Sequence, residues 1–254
     1  MEPERGYQHD YAEINPGMYE AEGRRRKAST MLAVLRDELG DRLGEARVLN
    51  LGCSAGLIDE ALAPHVQSTL GVDIDDKAVA AANQRTVGTA SRFVVGDAMA
   101  LALEDVSFEV VICSQVYEHV SDPARMMAEI NRVLVPGGLC YFAVTSRWSV
   151  MEMHYKLPFL SWLPPRLADI YLRATRRGTR YYERHFGVSA LRRLVAGFDV
   201  TDATPRILAE PERYAATYMF RSRAALGAAR MILRFAYPLF PGFIWILRKP
   251  TGGN

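Results

Sequence analysis

The chain has 254 residues, 49% of them apolar and 24% charged, with a formal net charge of +2. This is an ordinary globular composition, long enough to bury a full core as one domain over 1–254, and it excludes wholesale disorder. No run of 18 apolar residues exists to cross a bilayer, and the three cysteines have neither disulfide nor metal spacing, so a cytoplasmic location is expected and no metal ligands are assigned.

The small net charge hides a polarity. Residues 1–154 hold 14 Lys and Arg against 23 Asp and Glu, whereas 155–254 hold 17 against 6. A basic second half suggests an anionic partner such as a membrane surface or nucleic acid. No charged-then-apolar leader precedes the first helix, which argues against secretion.

In chain order, residues 1–16 are polar and are expected to stay loose until a ligand orders them. Residues 17–45 read as helix. Val48–Leu51 is a buried strand running into Gly52-Cys53-Ser54-Ala55-Gly56, where glycine lets the backbone turn sharply and approach a ligand closely. A second strand ends in Gly71-Val72-Asp73-Ile74-Asp75. Asp73 lies 21 positions after Gly52, roughly the spacing at which an acid reaches a ribose hydroxyl in a nucleotide-binding βαβ unit. The turn has neither the three-glycine dinucleotide pattern nor a Lys-Ser/Thr for a triphosphate, so a nucleoside lacking a pyrophosphate fits better.

The same five residues also match the G-x-S-x-G nucleophile elbow, which needs an oxyanion-hole loop earlier in the chain. Only about fifty residues precede the turn, they read as helix, and they contain no His-Gly-Gly segment. The elbow also leaves Asp73 unexplained. The hydrolase reading is set aside.

Further along, Phe93-Val94-Val95-Gly96-Asp97-Ala98 reads as a third strand ending in an acid. Phe108–Ser114 is a fourth strand running into Gln115-Val116-Tyr117-Glu118-His119-Val120. Asp122 and Pro123 open a helix as N-cap and first residue, and Met126, Met127, Ile130, Val133 and Leu134 form its core-facing stripe. Val135-Pro136-Gly137-Gly138 is a turn, and Leu139–Val144 a fifth strand.

In this order the motifs resemble the class I S-adenosylmethionine-dependent methyltransferases, and the nucleotide half is similar to the quinone-biosynthesis type of small-molecule enzyme. The resemblance implies an α/β, Rossmann-like sheet of seven mostly parallel strands, with helices on both faces and an antiparallel last strand. Ser189–Phe198 would be the last helix of the sheet, Phe198–Ala203 the sixth strand and Phe243–Arg248 the seventh. It implies S-adenosylmethionine as cofactor, with Gly52, Ser54 and Gly56 along its methionine and ribose, and Asp73 on the ribose hydroxyls. Ile74 would pack on the adenine, Asp97 and Ala98 would bind its amino edge, and Ser114 would line the end of the fourth strand.

Residues 17–146 are then the nucleotide-binding core, and 147–187 and 205–241 are inserts that carry substrate specificity. The first is rich in aromatics and is read as a lid, with Trp148, Tyr155, Tyr181 and Tyr182 facing substrate. The second is mostly helical. Its arginines, among them Arg223, Arg230 and Arg234, are read as lying on anionic headgroups while Phe235, Phe240 and Phe243 insert among lipid chains.

Methyl transfer from a sulfonium needs orientation and, for a hydroxyl or acidic carbon, a base. His119, on the strand edge where ligands collect, and His154 are the candidates; His185 with the Tyr181–Tyr182 pair ranks third, and His9 and His65 look like surface residues. The expected acceptor is an apolar small molecule or lipid-linked group, met at the inner membrane face. Nucleic-acid methylation is the alternative, disfavoured because Ser-Gln-Val-Tyr replaces the Asn/Asp-Pro-Pro-Tyr of amino-group base methyltransferases. A non-catalytic S-adenosylmethionine-binding protein is the other.

Overall fold

The computed structural model describes residues 19–252. The first helix, α1 (Ala21–Leu39), starts where the Glu20 carboxylate accepts the Gly23 N–H at 2.7 Å and buries Met31, Leu32, Val34 and Leu35. The nucleotide half then alternates β1 (Arg47–Leu51), α2 (Leu57–Leu62), β2 (Ser68–Asp73), α3 (Asp76–Arg85), β3 (Ser91–Val95), β4 (Phe108–Ser114), α4 (Pro123–Val133) and β5 (Leu134–Thr145). The first insert holds a two-stranded hairpin, β6 (Met151–Glu152) with β7 (Leu157–Pro158), and helix α5 (Pro165–Ala174). After it come α6 (Val188–Leu194), β8 (Asp199–Asp202), α7 (Thr204–Ala209), α8 (Arg223–Phe235) and β9 (Gly242–Arg248).

Seven strands form one sheet in the order β3-β2-β1-β4-β5-β9-β8. β1 to β5 pair in parallel, and β9 runs antiparallel to both of its neighbours. Both faces are covered, so the central strands read as near-continuous apolar runs. Leu49, Leu51, Val111 and Cys113 point into a core shared with α4 and α6, while Val48, Val110 and Ile112 point into one shared with α1. The Rossmann-like expectation holds, antiparallel last strand included.

The N-cap of α4 is as read: Asp122 accepts the Arg125 N–H at 3.0 Å, and Met126, Met127, Ile130 and Val133 are buried. The fifth strand starts earlier than Leu139, because Leu134 already pairs with Phe108 across a register shift, leaving the Pro-Gly-Gly segment as an irregularity within the strand. The last helix before β8 stops at Leu194 instead of Phe198. Cys53, Cys113 and Cys140 are buried and unpaired. Residues 1–16, including His9, lie outside the described residues, and His65 is exposed, with Nδ1 3.3 Å from the Arg36 guanidinium.

The second insert is tied to α1 by charge. Glu38 pairs with Arg206 at 2.5 Å and Arg248 at 3.0 Å, while Asp37 holds Arg213 at 2.8 Å and the Tyr214 hydroxyl. Part of the charge polarity is therefore internal cross-linking between an acidic first half and a basic second half. Arg230 is also engaged, donating to the Leu208 and Ala209 carbonyls at the end of α7. The expected insertion of Phe240 and Phe243 into lipid is corrected: they are 7% and 2% exposed and pack on Trp245 and Tyr237 in the core. Only Phe235, at 76%, points out. Among the described residues no helix is long and apolar enough to cross a membrane.

Candidate active site

A cavity of about 880 Å³ opens along the carboxyl edge of the sheet, where ligands collect in open α/β folds. One end is the turn after β1. Gly52 and Gly56 have φ of 68° and 70°, and a Cβ would sit 2.8 Å from Val116 Cγ2 in the first and 2.5 Å from the Phe93 ring in the second. Each turn therefore requires glycine on two counts, backbone conformation and space. Ser54 also has positive φ, 48°, and its N–H donates to Asp73 Oδ2 at 2.6 Å. Asp73 Oδ1 accepts the Asp75 N–H at 3.0 Å. Burial pushes the Asp73 carboxyl above its usual range against these two bonds, which favour the anion. Asp73 thus fastens the glycine turn to β2 and turns its remaining lone pairs toward the cavity.

All eight residues read as cofactor-binding lie close together here. Gly52, Ser54, Asp73, Ile74, Asp97, Ala98 and Ser114 line the cavity, and Gly56 supports the turn from below. Asp97 is held by the Met99 N–H, which donates to Oδ1 at 2.8 Å. Gln115, a non-glycine residue at φ 60°, follows β4 and is fixed by the Thr145 hydroxyl, which donates to its Oε1 at 2.7 Å. Left-handed conformations at Ser54 and Gln115, on the same cavity wall, are the kind of strain that persists where a ligand is bound.

The other end holds a cluster that single-residue spacing did not announce. His119 and His154 meet edge to face with ring centres 4.9 Å apart, and His185 stacks on His154 at 6.2 Å. His154 Nδ1 lies 2.5 Å from Glu152 Oε1, His185 Nε2 lies 3.5 Å from the same oxygen, and His119 Nδ1 lies 4.0 Å from Glu183 Oε1. Burial alone would raise Glu152, but the hydrogen bond from His154 and the neighbouring His185 ring hold it down at about 2. Burial alone would lower His154, yet the bond to Glu152 and the charges of Glu183 and Glu118 raise it above the ordinary imidazole value. Burial pushes the Glu118 and Glu183 carboxyls up.

Long-range backbone pairing builds this cluster. The Tyr117 hydroxyl donates to the Thr145 carbonyl at 2.8 Å and accepts the Phe186 N–H at 3.0 Å. The Arg184 N–H donates to the Glu118 carbonyl and the Arg147 N–H to that of Phe186, each at 3.0 Å. These bonds lay residues 184–186 beside the turn after β4 and so deliver Glu183 and His185. The structure therefore places His119 and His154, the two separate candidates for a base, side by side, together with Glu152, Glu183 and His185.

The aromatic residues read as facing substrate are corrected. Trp148, Tyr155, Tyr181 and Tyr182 are not among the residues lining the cavity. Trp148 packs edge to face on Trp162, while Tyr155 and Tyr181 meet edge to face against a satellite core of Leu157, Leu160, Ala168 and Leu172. Burial first, then the charges of Glu152 and Glu183, raises both Tyr155 and Tyr181 phenols, so these rings sit behind the carboxylates as support. The same cavity is also lined by Met31 of α1, Tyr141 and Ala143 of β5, Ile207 of α7, Phe220 and Phe240. Arg24 and Lys27 of α1 also reach it. No local spacing could mark them, because they come from five separate segments.

A sheet in this order, with a strained glycine turn and an acid at the end of each of the next two strands, defines a Rossmann-like nucleoside-binding protein. The family described as "Methyltransferase domain" matches residues 49–142. The ubiquinone biosynthesis O-methyltransferase of Sinorhizobium fredii is 29% identical over 192 residues, spanning 68% of this chain and 72% of that enzyme. The enzyme of the same name from Pseudomonas entomophila is 28% identical over 166 residues, spanning 63% and 67%. An S-adenosylmethionine-dependent methyltransferase from Mesorhizobium loti shares the fold, with a TM-score of 0.55 at 20% identity over 85% of this chain and 96% of that one. The matched domain over residues 49–142, these relatives and the shared fold support a class I S-adenosylmethionine-dependent methyltransferase with S-adenosylmethionine as methyl donor.

Proposed function

We propose that the protein transfers a methyl group from S-adenosylmethionine to a hydroxyl of an apolar small molecule or lipid-linked acceptor, collected at an anionic membrane surface. The observation that carries this reading is that one cavity is lined at once by the glycine turn, by His119 and by the apolar side chains of Met31, Ile207, Phe220 and Phe240. The sulfonium methyl would face the histidines and the apolar walls would hold the acceptor's body. The acceptor oxygen forms a bond to the methyl carbon as the S–CH3 bond breaks, the electron pair stays on sulfur, and the hydroxyl proton passes to His119 or His154. Gly52, Ser54, Gly56, Asp73, Ile74, Asp97, Ala98 and Ser114 hold the cofactor as the sequence reading assigns them. Oxygen as the methylated atom rests on the O-methyltransferase relatives.

Two large apolar side chains that line the cavity are themselves well exposed, Met153 at 66% and Met219 at 41%, one from each insert. On the same inserts Val150, Phe159, Ile170, Met231, Phe235 and Leu239 are exposed. An apolar acceptor dissolved in a bilayer would enter from such a rim without crossing water, which supports a cytoplasmic protein docked on the inner membrane face. Nucleic-acid methylation loses ground, since Arg206, Arg213, Arg230 and Arg248 are spent on internal pairs and caps. The test is production of S-adenosylhomocysteine with alkylated or prenylated phenols, compared with RNA and DNA. Turnover with nucleic acid alone would overturn the reading, and turnover with neither favours the non-catalytic binding protein.

A further inference from the structure

The Glu152–His154–His185 group is more than a base and its neighbours. Its three ligand-type atoms lie within 4.8 Å of one another, and so do those of His119, His154 and Glu183. A tetrahedral transition-metal ion with bonds of about 2.1 Å sets its ligand atoms about 3.4 Å apart. His185 Nε2 and Glu152 Oε1 stand 3.5 Å apart, whereas His154 Nδ1, hydrogen-bonded to that oxygen at 2.5 Å, would have to give up that bond or ligate through Nε2. The His185 ring is 1% exposed in its side chain, stands against the cavity, and has no hydrogen-bond partner at either ring nitrogen, Nε2 facing Glu152 included, among the described residues. A fully buried imidazole with an unsatisfied nitrogen is costly unless something else binds it. Of the two groups, Glu152, His154 and His185 all line the cavity, whereas Glu183 does not.

We propose that Glu152, His154 and His185 bind a divalent transition-metal ion at the acceptor end of the cavity, with an open position toward the substrate oxygen. This deepens the methyltransferase reading and rests on it for the substrate's role. Two imidazoles and one carboxylate suit Zn2+, Fe2+, Mn2+ or Co2+, and exclude a hard all-oxygen Ca2+ site. Three protein ligands leave a coordination position for a hydroxyl oxygen, whose proton the ion makes easier to remove. His119, 4.9 Å from His154 between ring centres and on the cavity wall, is then left to take that proton.

The full chain, stripped with a chelator and dialysed, is titrated with Co2+ while visible absorption is followed, and Zn2+ is then added as competitor. One ion per chain with the intense absorption of a four- or five-coordinate centre, displaced by Zn2+, is expected. Glu152→Gln and His185→Ala should each weaken Co2+ binding at least tenfold, while calorimetric affinity for S-adenosylhomocysteine stays at the wild-type value. Should His185→Ala not fold, Glu152→Asp, which keeps the charge and shortens the reach, takes its place. Absence of saturable Co2+ binding by the wild type, or undiminished binding by the variants, overturns the site. Loss of S-adenosylhomocysteine binding by the wild type would instead overturn the methyltransferase reading, so the two failures are separable.

Discussion

The nucleotide half and the acceptor half of this molecule are built on opposite plans. Between β1 and β4 each functional residue sits at a strand end or in the turn that follows it, so the spacing of the sheet fixes the spacing of the site. The proposed acceptor end gathers Met31, Tyr141, Glu152, His185, Ile207 and Phe240, which the chain separates by up to 209 positions. A pocket of the first kind can be read from periodicity and glycine placement. The second kind depends on which loops find each other.

The largest effect expected from this contrast is on turnover. Replacing His119 and His154 together with Ala should lower the rate by roughly 10²–10⁴ while leaving S-adenosylhomocysteine affinity unchanged. Single-turnover kinetics beside calorimetry checks both halves at once. A parallel fall in cofactor affinity would mean that the two ends are not separable.

The converse is Asp73→Ala. It removes two backbone-to-carboxylate bonds that fasten the turn, and with them the proposed acceptor for the ribose hydroxyls. A charge-assisted bond contributes about 1.5–3 kcal/mol, so calorimetry should register at least a tenfold loss of S-adenosylhomocysteine affinity. Unchanged binding would remove Asp73 from the pocket.

These two experiments probe the parts that were unequally legible in the sequence. The first five strands, the glycine turn and the acids at 73 and 97 follow from local pattern, because a βαβ unit leaves few places for a ligand. His119 was legible for the same reason, one turn past β4. Glu183 and His185 come into place only through the Tyr117 hydroxyl and the Glu118 carbonyl, which pair with backbone groups about 66 to 69 positions away. Aromatic richness misled in the first insert. Rings at 155 and 181 looked like a substrate lid but serve a satellite core, since a short insert must bury something of its own before it can cover anything.

Asp59 sharpens the comparison from below the cofactor turn. It is fully buried on α2, its Oδ2 accepts the Asn50 amide at 2.7 Å, and its Oδ1 has no partner among the described residues. Burial raises its pKa to about 7. Between the ordinary carboxyl value of 3.8 and about 7 the unfolded chain is ionised while the folded one keeps its proton. Folding then takes up a proton, so this group lowers stability as pH rises through that window, by up to about 1.4 kcal/mol per pH unit. Asp59→Asn should flatten the slope and melt higher than wild type at pH 8, as denaturant titrations across pH would register. An unaltered slope would mean that Asp59 is ionised in the folded protein.

The smallest effect expected lies on the outer face of the acceptor half. On α8, Leu226, Ala229 and Leu233 face the core, while Met231, Ile232 and Phe235 face out with Arg223 and Arg234 beside them. Arg230 must be left alone, because it caps α7 and its loss would disturb the fold. Changing only Arg223 and Arg234 to Glu should reduce co-sedimentation with anionic vesicles, each basic residue contributing about 1 kcal/mol near the surface. Screening over a Debye length of about 8 Å should make the wild type partly salt-releasable. Phe235→Ser should remove the part of binding that survives salt, since insertion of an apolar ring does not depend on charge. Neither change touches the cavity, so S-adenosylhomocysteine affinity and turnover of a water-soluble phenol should stay at wild-type values. Equal binding to neutral and anionic vesicles would sink the electrostatic part of the docking, and no vesicle binding at all would leave the acceptor to be delivered through water.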